Sequence, residues 1–226
     1  MQNLGYAGGN NIGLRTAIAQ VSTEYFWILN NDVVVESKSL DSLVKKCEGN
    51  DNIGICGSRV MYYYEPTSIQ SIGGYYNRFF SYVKNITNIH DRKRIDAVIG
   101  ASLFITRRCI ETIGFLPEEY FLYLEESDYC LRAKQYGFCI TVADDSVVFH
   151  KSGSTTGGND DYRKRGEAPD LLMLKNRFIL AKKYSRSNIG VYIGLFISVI
   201  RRLLRGQPRR AYKIMQFLTE QIFKTS

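Results

Sequence analysis

The sequence predicts an α/β fold, because short apolar runs typical of buried strands alternate with segments of helical character. Four runs predict strands: 25–29, 53–64, 97–105 and 139–150. Three further segments predict helices: 14–21, a second that starts near Ser37 or Ser39 and includes Cys47, and 124–137. With 226 residues, the chain is long enough to bury one sizeable core and to carry an appendage.

Three segments rich in glycine and polar residues show neither the apolar repeat of a helix nor that of a strand, and they therefore predict loops. These segments are 5–11, 65–92 and 151–161. The segment 65–92 is long enough to form a lid over a site. Two helical stretches follow: about 169–183, and 189 to the end. We therefore expect a domain over residues 1–160 and a basic helical region over residues 161–226.

The charge of the chain is divided unevenly. The segment 163–213 holds 14 Lys and Arg against two acids, whereas residues 1–162 carry a net charge of −4 within a total of +8. This distribution argues against nucleic acid as a partner, because a nucleic-acid-binding protein spreads positive charge over its recognition surface. It fits a domain held near an anionic membrane, and equally a solvated helix face.

The cysteines and the C-terminal region bear on location. Five widely spaced cysteines without a CxxC pair predict buried thiols in a reducing compartment. The 12 residues 189–200 carry no charge and precede three arginines, but a spanning helix needs about 20 residues. This segment either lies in a membrane interface or packs on the domain. We expect a cytoplasmic protein with peripheral contact to the inner face of the plasma membrane.

Polar residues follow the first predicted strand, at Asn30, Asn31 and Asp32. In open α/β sheets ligands bind beyond the carboxyl ends of strands, and a carboxylate there can hold a divalent cation against a diphosphate. The alternative is a simple turn, which Asn and Asp also favour.

An acidic cluster, Glu125, Glu126 and Asp128, opens the helix predicted from about residue 124. A carboxylate in a cleft can accept the proton of an attacking hydroxyl group. Acidic residues in a first helical turn also complement the helix dipole, and Asp128 can pair with Arg132. His150 ends a predicted strand, where it is either a metal ligand or a structural residue.

In order along the chain, these segments resemble glycosyltransferase family 2, in particular its rhamnosyltransferase-like members. The matching segments are NLGYAGGNNIGL (3–14), YFWILNNDVVV (25–35), IGICGSRV (53–60), IGASLFITRR (99–108), IGFLPEEYFLYLEESDYCLRAKQYGF (113–138) and VVFHKSGSTTGG (147–158). The resemblance implies a GT-A fold with a Rossmann-like mixed sheet, a dTDP- or UDP-sugar donor, Mg²⁺ or Mn²⁺, and inversion at the anomeric carbon. It also implies a glycan or lipid-linked glycan acceptor in the synthesis of bacterial cell-surface polysaccharide.

The resemblance also implies roles for single residues. Asp32 and His150 match metal ligands. Glu126 stands where the family places its catalytic base, most often an aspartate, with Glu125 and Asp128 as rivals, and Asp128 matches a second acid that orients the acceptor. The remaining matches lie near the donor: Gly8, Gly9, Asn10, Asn30, Asn31, Gly100 and Ala101.

The family pattern begins with two βα units that bind the base and ribose, and the sequence before Asn3 has no counterpart of them. We therefore expect a truncated GT-A domain, poorly stable and weakly active when expressed alone. Its alternatives are an inactive remnant and an acceptor- or membrane-binding module. An oxidoreductase is disfavoured, because no strand precedes the glycine-rich segment.

Overall fold

The chain folds into two units in a computed structural model, which describes residues 3–91, 94–151, 166–185 and 187–223. Within these residues the first unit comprises 3–76, 83–91 and 94–151. The second unit comprises 77–82, 166–185 and 187–223. The predicted domain boundary at residue 160 and most of the predicted loop 151–161 lie outside the described residues.

Eight strands occur in the described residues: β1 (Tyr25–Leu29), β2 (Val33–Val35), β3 (Ile53–Tyr62), β4 (Ile69–Ser71), β5 (Gly74–Asn77), β6 (Tyr82–Asn85), β7 (Ser102–Thr106) and β8 (Cys139–His150). The main sheet has the order β1-β7-β3-β8-β2, and β4 pairs with β3 beside this path. β5 and β6 form a separate two-stranded sheet.

The main sheet is mixed, as the resemblance to glycosyltransferase family 2 implies. β3 and β8 are parallel, whereas the pairs β1–β7, β3–β7 and β2–β8 are antiparallel. Because β7 runs opposite to both β1 and β3, the strands β1, β3 and β8 all point the same way. Their carboxyl ends therefore lie along the same edge of the sheet, and β7 begins there.

Seven helices occur in the described residues: α1 (Gly5–Ile18), α2 (Ser39–Cys47), α3 (Arg107–Ile113), α4 (Glu125–Gln135), α5 (Glu167–Tyr184), α6 (Ile189–Leu204) and α7 (Pro208–Phe223). α2 covers one face of the main sheet through Leu43 and Cys47, which pack against Cys56 and Phe104. α1, α3 and α4 contribute to the apolar cluster on the other face. Burial of both faces explains why β3 is an almost continuous apolar run.

The glycine-rich segment 5–11 is not the predicted loop, because α1 begins at Gly5. Tertiary packing overrides the low helix propensity of glycine here. Asn11 is fully buried and fixes the helix to Leu116, whose backbone carbonyl and N–H it contacts at 2.9 and 3.0 Å. Gly5 has a φ of +71°, and a Cβ there would lie 2.1 Å from the carbonyl oxygen of Phe121.

Two predictions about extended segments need correction. The predicted loop 65–92 contains β4, β5 and β6, which are anchored by buried side chains too widely spaced to show a period: Ile72, Tyr76 and Ile86. In the predicted strand 97–105, only the part from Ser102 onward is β7. Gly100 and Ala101 therefore lie in the turn before the strand, which lets this turn approach neighbouring elements closely.

Smaller differences concern α3, which the apolar pattern does not predict, and the cysteines. α3 starts where the Thr106 side chain accepts a hydrogen bond from the Cys109 N–H, a cap that a short helix needs. β8 is a single strand of 12 residues. Four cysteines are buried as predicted, but Cys139 is exposed at the start of β8.

The second unit contains three helices where the sequence predicts two stretches. The predicted helix from residue 189 onward is broken between α6 and α7 by Gly206, with a φ of +66°, and by Pro208. Apolar residues of α5, α6 and α7 form one cluster. Arg202 of α6 and Asp170 of α5 form a bidentate ion pair, with nitrogen–oxygen distances of 3.0 and 2.5 Å.

We expect two glycine substitutions in α1 to act in opposite directions. Gly5→Ala should lower the free energy of unfolding by about 1–3 kcal/mol, because φ is positive and the new Cβ meets the Phe121 carbonyl. Gly13→Ala, where a Cβ meets nothing within 4 Å, should raise it by about 0.5–1 kcal/mol. Urea unfolding measures both. Equal effects would contradict the packing of the α1 N-terminus.

Candidate active site

Four of the predicted site residues lie at the edge of the sheet where β1, β3 and β8 end: Asn30, Asp32, Ala101 and His150. The Asn30 N–H, just beyond β1, donates to the Ala101 carbonyl at 3.3 Å. His150 ends β8 and stands opposite Val33 of β2. The Lys151 N–H donates to the Asp32 carbonyl at 3.0 Å. These backbone contacts hold the turn around Asp32 between the end of β8 and the turn before β7.

Asp32 and His150 form a close pair of side chains. Asp32 Oδ1 lies 3.2 Å from His150 Nε2, and the two side chains are only 14% and 12% exposed. The other ring nitrogen, His150 Nδ1, lies 2.9 Å from Oε1 of Gln70, a buried residue of β4. Three segments that are distant in the sequence therefore meet at this imidazole.

The tautomer of His150 decides what the pair can bind. With the Gln70 oxygen as acceptor, Nδ1 carries the hydrogen, and Nε2 then faces the carboxylate of Asp32, where a divalent cation bound by both groups satisfies the geometry. In the other tautomer Nε2 donates its hydrogen to Asp32, and the amide group of Gln70 donates to Nδ1. In the described part of the chain no group of three His, Cys, Asp or Glu side chains is placed to bind a metal ion.

A second group of residues lies at Gly100. The Tyr6 hydroxyl donates to the Gly100 carbonyl at 2.6 Å. A Cβ at Gly100 would lie 3.2 Å from the Tyr6 oxygen and 3.6 Å from Cγ of Glu126, so glycine permits this close approach. Burial first, and then the charges of Glu126 and Glu125, raise the pKa of Tyr6 well above its usual value. Tyr6 therefore stays protonated and acts as a donor.

Glu125 and Glu126 differ in how well they stabilise a negative charge. Burial, followed by the charge of Glu126, raises the pKa of Glu125 to about 9. Its side chain is 3% exposed, and its Oε2 has no hydrogen-bond partner. Burial also raises the pKa of Glu126, which is partly exposed, but hydrogen bonds from the backbone and from Ser127 favour its charged form. Burial therefore disfavours the charged form of both carboxyl groups, and Glu125 keeps its proton at neutral pH.

An unusual backbone turn presents these carboxyl groups. Tyr123 and Leu124 both adopt left-handed conformations, with φ of 76° and 72°, immediately before α4. Non-glycine residues rarely occupy this region, and such strain persists only where the surroundings enforce it. Here the Tyr6 N–H donates to the Phe121 carbonyl at 3.0 Å, which ties the preceding segment to α1.

The remaining predicted site residues lie in varied surroundings. Gly8 is buried against Leu4, Gly9 is exposed, and the Asn10 side chain donates to the Tyr6 carbonyl within α1. Asn31 is exposed, whereas Asp128 is buried in the first turn of α4. Because residues 5–11 are helical, the predicted loop near the donor is not present. The Gly5 and Tyr6 N–H groups already donate to Asn3 Oδ1 and to Phe121.

Sequence reasoning missed two residues of the site. Gln70 lies in an aperiodic segment, and its contact with His150 depends on the pairing of β4 with β3. Tyr6 lies inside the glycine-rich motif, in which the family resemblance implies roles only for Gly8, Gly9 and Asn10. The one aromatic residue of this motif is the signal that could have identified it.

Comparisons with known proteins bear on the family and the fold of the chain. The family model described as "Glycosyl transferase family 2" matches residues 2–111, which include the turn at Asp32 and Gly100 but end before α4 and β8. A curated relative, the "Low-salt glycan biosynthesis hexosyltransferase Agl10" of Haloferax volcanii, is 26% identical over 137 residues. This match covers 59% of the chain and 44% of the relative. The chain contains a glycosyltransferase family 2 domain.

A solved structure supports the fold of the family 2 domain. It is titled "Crystal structure of GalNAc-T7 with UDP, GalNAc and Mn2+", and it matches with a TM-score of 0.51 at 14% identity. The match covers 65% of this chain and 30% of that one. The fold is therefore the mixed α/β GT-A fold. In both comparisons the chain spans less than half the length of the protein that it matches.

The pKa of Glu125 predicts how the stability of the family 2 domain depends on pH. The folded-state pKa of about 9 lies above the usual 4.5, so the folded state keeps a proton that the unfolded chain loses. The stability contributed by Glu125 is complete below about pH 4.5 and is lost as the pH rises toward 9. We expect Glu125→Gln to gain stability relative to the wild type by roughly 1–4 kcal/mol over this range.

Thermal unfolding of both proteins between about pH 5 and about pH 9 measures this effect as a changing difference in Tm. Glu24→Gln, at an exposed carboxyl group before β1, is the matched control and should show a constant difference. A constant difference for Glu125→Gln as well would mean that Glu125 is ionised in the folded state.

Proposed function

We propose that the protein transfers a sugar from a nucleotide-diphosphate donor to a saccharide or lipid-linked saccharide acceptor, with inversion at the anomeric carbon. The observation that carries the proposal is the Asp32–His150 pair at the carboxyl ends of the strands, beside the turn in which Gly100 approaches Glu126. A cation site and a carboxylate base flanking one small-residue turn are the two parts that such a transfer requires.

The Asp32–His150 pair supports a requirement for Mg²⁺ or Mn²⁺. A carboxylate oxygen and an imidazole nitrogen 3.2 Å apart could both bind one cation, and Gln70 would keep the ring nitrogen turned toward it. Two protein ligands leave coordination positions for diphosphate oxygens. When bound, the cation would neutralise charge on the departing diphosphate. The solved GT-A structure named above contains UDP and Mn²⁺, in keeping with this assignment.

Glu126 is the proposed base. The acceptor oxygen forms a bond to the anomeric carbon, the bond from that carbon to the diphosphate oxygen breaks, and the acceptor proton passes to Glu126. A pKa raised by burial makes this carboxylate a stronger base than an exposed one, provided that it is ionised. The adjacent Glu125 is the weaker candidate, because it is buried and its Oε2 has no hydrogen-bond partner, whereas Glu126 is partly exposed and accepts a hydrogen bond from Ser127.

The roles proposed for the other residues follow from their positions. Gly100 and Ala101 would lie under the donor sugar, since a side chain at Gly100 would fill the space beside Glu126. Asn30 and Asn31 would lie near the diphosphate, and Asp128 would orient the acceptor. A place in the assembly of cell-surface glycans agrees with the glycan-biosynthesis name of the curated relative.

We expect Asp32→Asn to weaken the binding of UDP or dTDP in the presence of Mn²⁺ by about 10–100-fold, because a bridging ligand is lost. Isothermal titration calorimetry with and without the metal measures this change. Asp51→Asn, an exposed acid before β3, is the control and should bind as the wild type does. Equal, metal-independent nucleotide binding by the wild type and Asp32→Asn would refute the cation site.

We expect Glu126→Gln to lower kcat by about 10²–10⁴-fold while nucleotide affinity is retained, because only proton transfer is removed. Release of nucleoside diphosphate from a panel of UDP- and dTDP-sugars, with a saccharide acceptor, measures turnover. Glu125→Gln should retain most of the activity. Full activity in Glu126→Gln together with its loss in Asp128→Asn would transfer the role of base to Asp128.

A further inference from the structure

α6 in the second unit has two apolar faces, although its own unit uses only one. Val191, Leu195 and Val199 are buried and pack in the cluster formed with α5 and α7. At about 100° per residue, these three positions lie on one side of the helix. This packing is sufficient to hold α6 in the three-helix unit.

The opposite side of α6 carries a continuous apolar stripe, which we call the exposed stripe. Its members are between 41% and 82% exposed: Ile189, Ile193, Phe196, Ile200, Leu203 and Leu204. They follow one another at intervals of three, four or one residue, and they fall within about 100° of the helix circumference. Single exposed apolar residues are ordinary, but a contiguous row of six large ones indicates a binding surface.

We propose that the exposed stripe of α6 binds the surface of an anionic lipid bilayer, with α6 lying in the plane of the interface. This inference concerns the second unit and does not depend on the transferase chemistry. Membrane contact through the basic region was expected from composition, and the structure identifies the face and the residues that would make it.

The charge around the exposed stripe matches such a partner. Between residues 189 and 213 the sequence holds five arginines, one lysine and no acid. Arg201 is exposed on the flank of the stripe, and Arg205 is exposed just beyond its end. Arg209 is also exposed, but it lies 3.9 Å from Glu167 of α5. Arginines at the border of an apolar face can reach lipid phosphates while the apolar side chains enter the acyl region.

The length of α6 fits an orientation in the plane of the membrane. Its 16 residues extend for about 24 Å, which is less than the hydrocarbon thickness of about 30 Å. Among the described helices, none is long and apolar enough to cross a bilayer. A second copy of the chain is the competing occupant, but it would not account for arginines rather than mixed charges at the border of the stripe.

The test is co-sedimentation of the full chain with vesicles of phosphatidylcholine, with and without phosphatidylglycerol. We expect the wild type to bind the anionic vesicles and to be released by salt. The double variant Phe196→Gln/Ile200→Gln should bind at least about tenfold more weakly, because two apolar anchors are lost. Arg201→Gln/Arg205→Gln should bind about tenfold more weakly to anionic vesicles, with no change on neutral ones.

The matched control is Val21→Gln/Tyr64→Gln, which replaces two exposed apolar residues of the first unit and should bind as the wild type does. Equal binding of all variants overturns the proposal, as does wild-type protein that stays in the supernatant. Light scattering that shows a wild-type dimer, converted to a monomer by Phe196→Gln/Ile200→Gln without vesicle binding, assigns the stripe to self-association.

A second measurement avoids the loss of apolar character. Phe196→Trp keeps the stripe apolar, and the fluorescence of the new indole should shift to shorter wavelength on addition of anionic vesicles and be quenched by brominated lipid. The wild type, whose one tryptophan is Trp27 of β1, supplies the background signal. Val21→Trp should show neither change. Unshifted fluorescence from the Phe196→Trp variant, in a protein that sediments with vesicles, would mean that another surface makes the contact.

Discussion

The parallel register between β3 and β8 is the constraint on which the candidate site depends. β8 follows β3 for 12 residues, through a register shift after Ser58, until His150 stands opposite Tyr62. At that point the imidazole contacts Asp32, which lies in the turn between β1 and β2. β3 also extends past its pairing with β7, and its outer part pairs with β4, which brings Gln70 to the second ring nitrogen. A shorter β8 would leave both contacts unmade.

The positions of the Glu125 and Glu126 carboxyl groups in α4 depend on backbone strain together with close packing. Tyr123 and Leu124, both left-handed, lead the chain into α4. The N-terminus of α1 packs against the preceding segment, where Gly5 lies so close to the Phe121 carbonyl that no side chain would fit. Burial at this junction disfavours charge on both glutamates, yet the donors are distributed unequally between them. Glu125 thereby keeps its proton without a partner for Oε2, whereas the neighbouring Glu126 has hydrogen-bond donors for its charged form.

The fold class and most elements could be predicted from the sequence because their signals are local. β1, α2 and α4 follow from apolar period and from polar residues at their ends. Asp32, His150 and Glu126 could be proposed because each stands at an element boundary. The helical state of residues 5–11 could not be predicted, since it depends on Asn11 binding Leu116 more than a hundred residues away. Gln70 was missed for the same reason, because only strand pairing gives it a partner.

The second unit shows how a structure can change the meaning of an uncharged run. From the sequence, residues 189–200 are equally consistent with a packed helix and with a membrane-facing one, because both need apolar residues. The structure shows which side of α6 is buried and which is exposed. The buried side of α6 accounts for Val191, Leu195 and Val199, so packing explains those residues but not the exposed stripe. Ile193, Phe196 and Ile200 must be explained separately, since a helix held by one face gains nothing within its own unit from large apolar residues on the other.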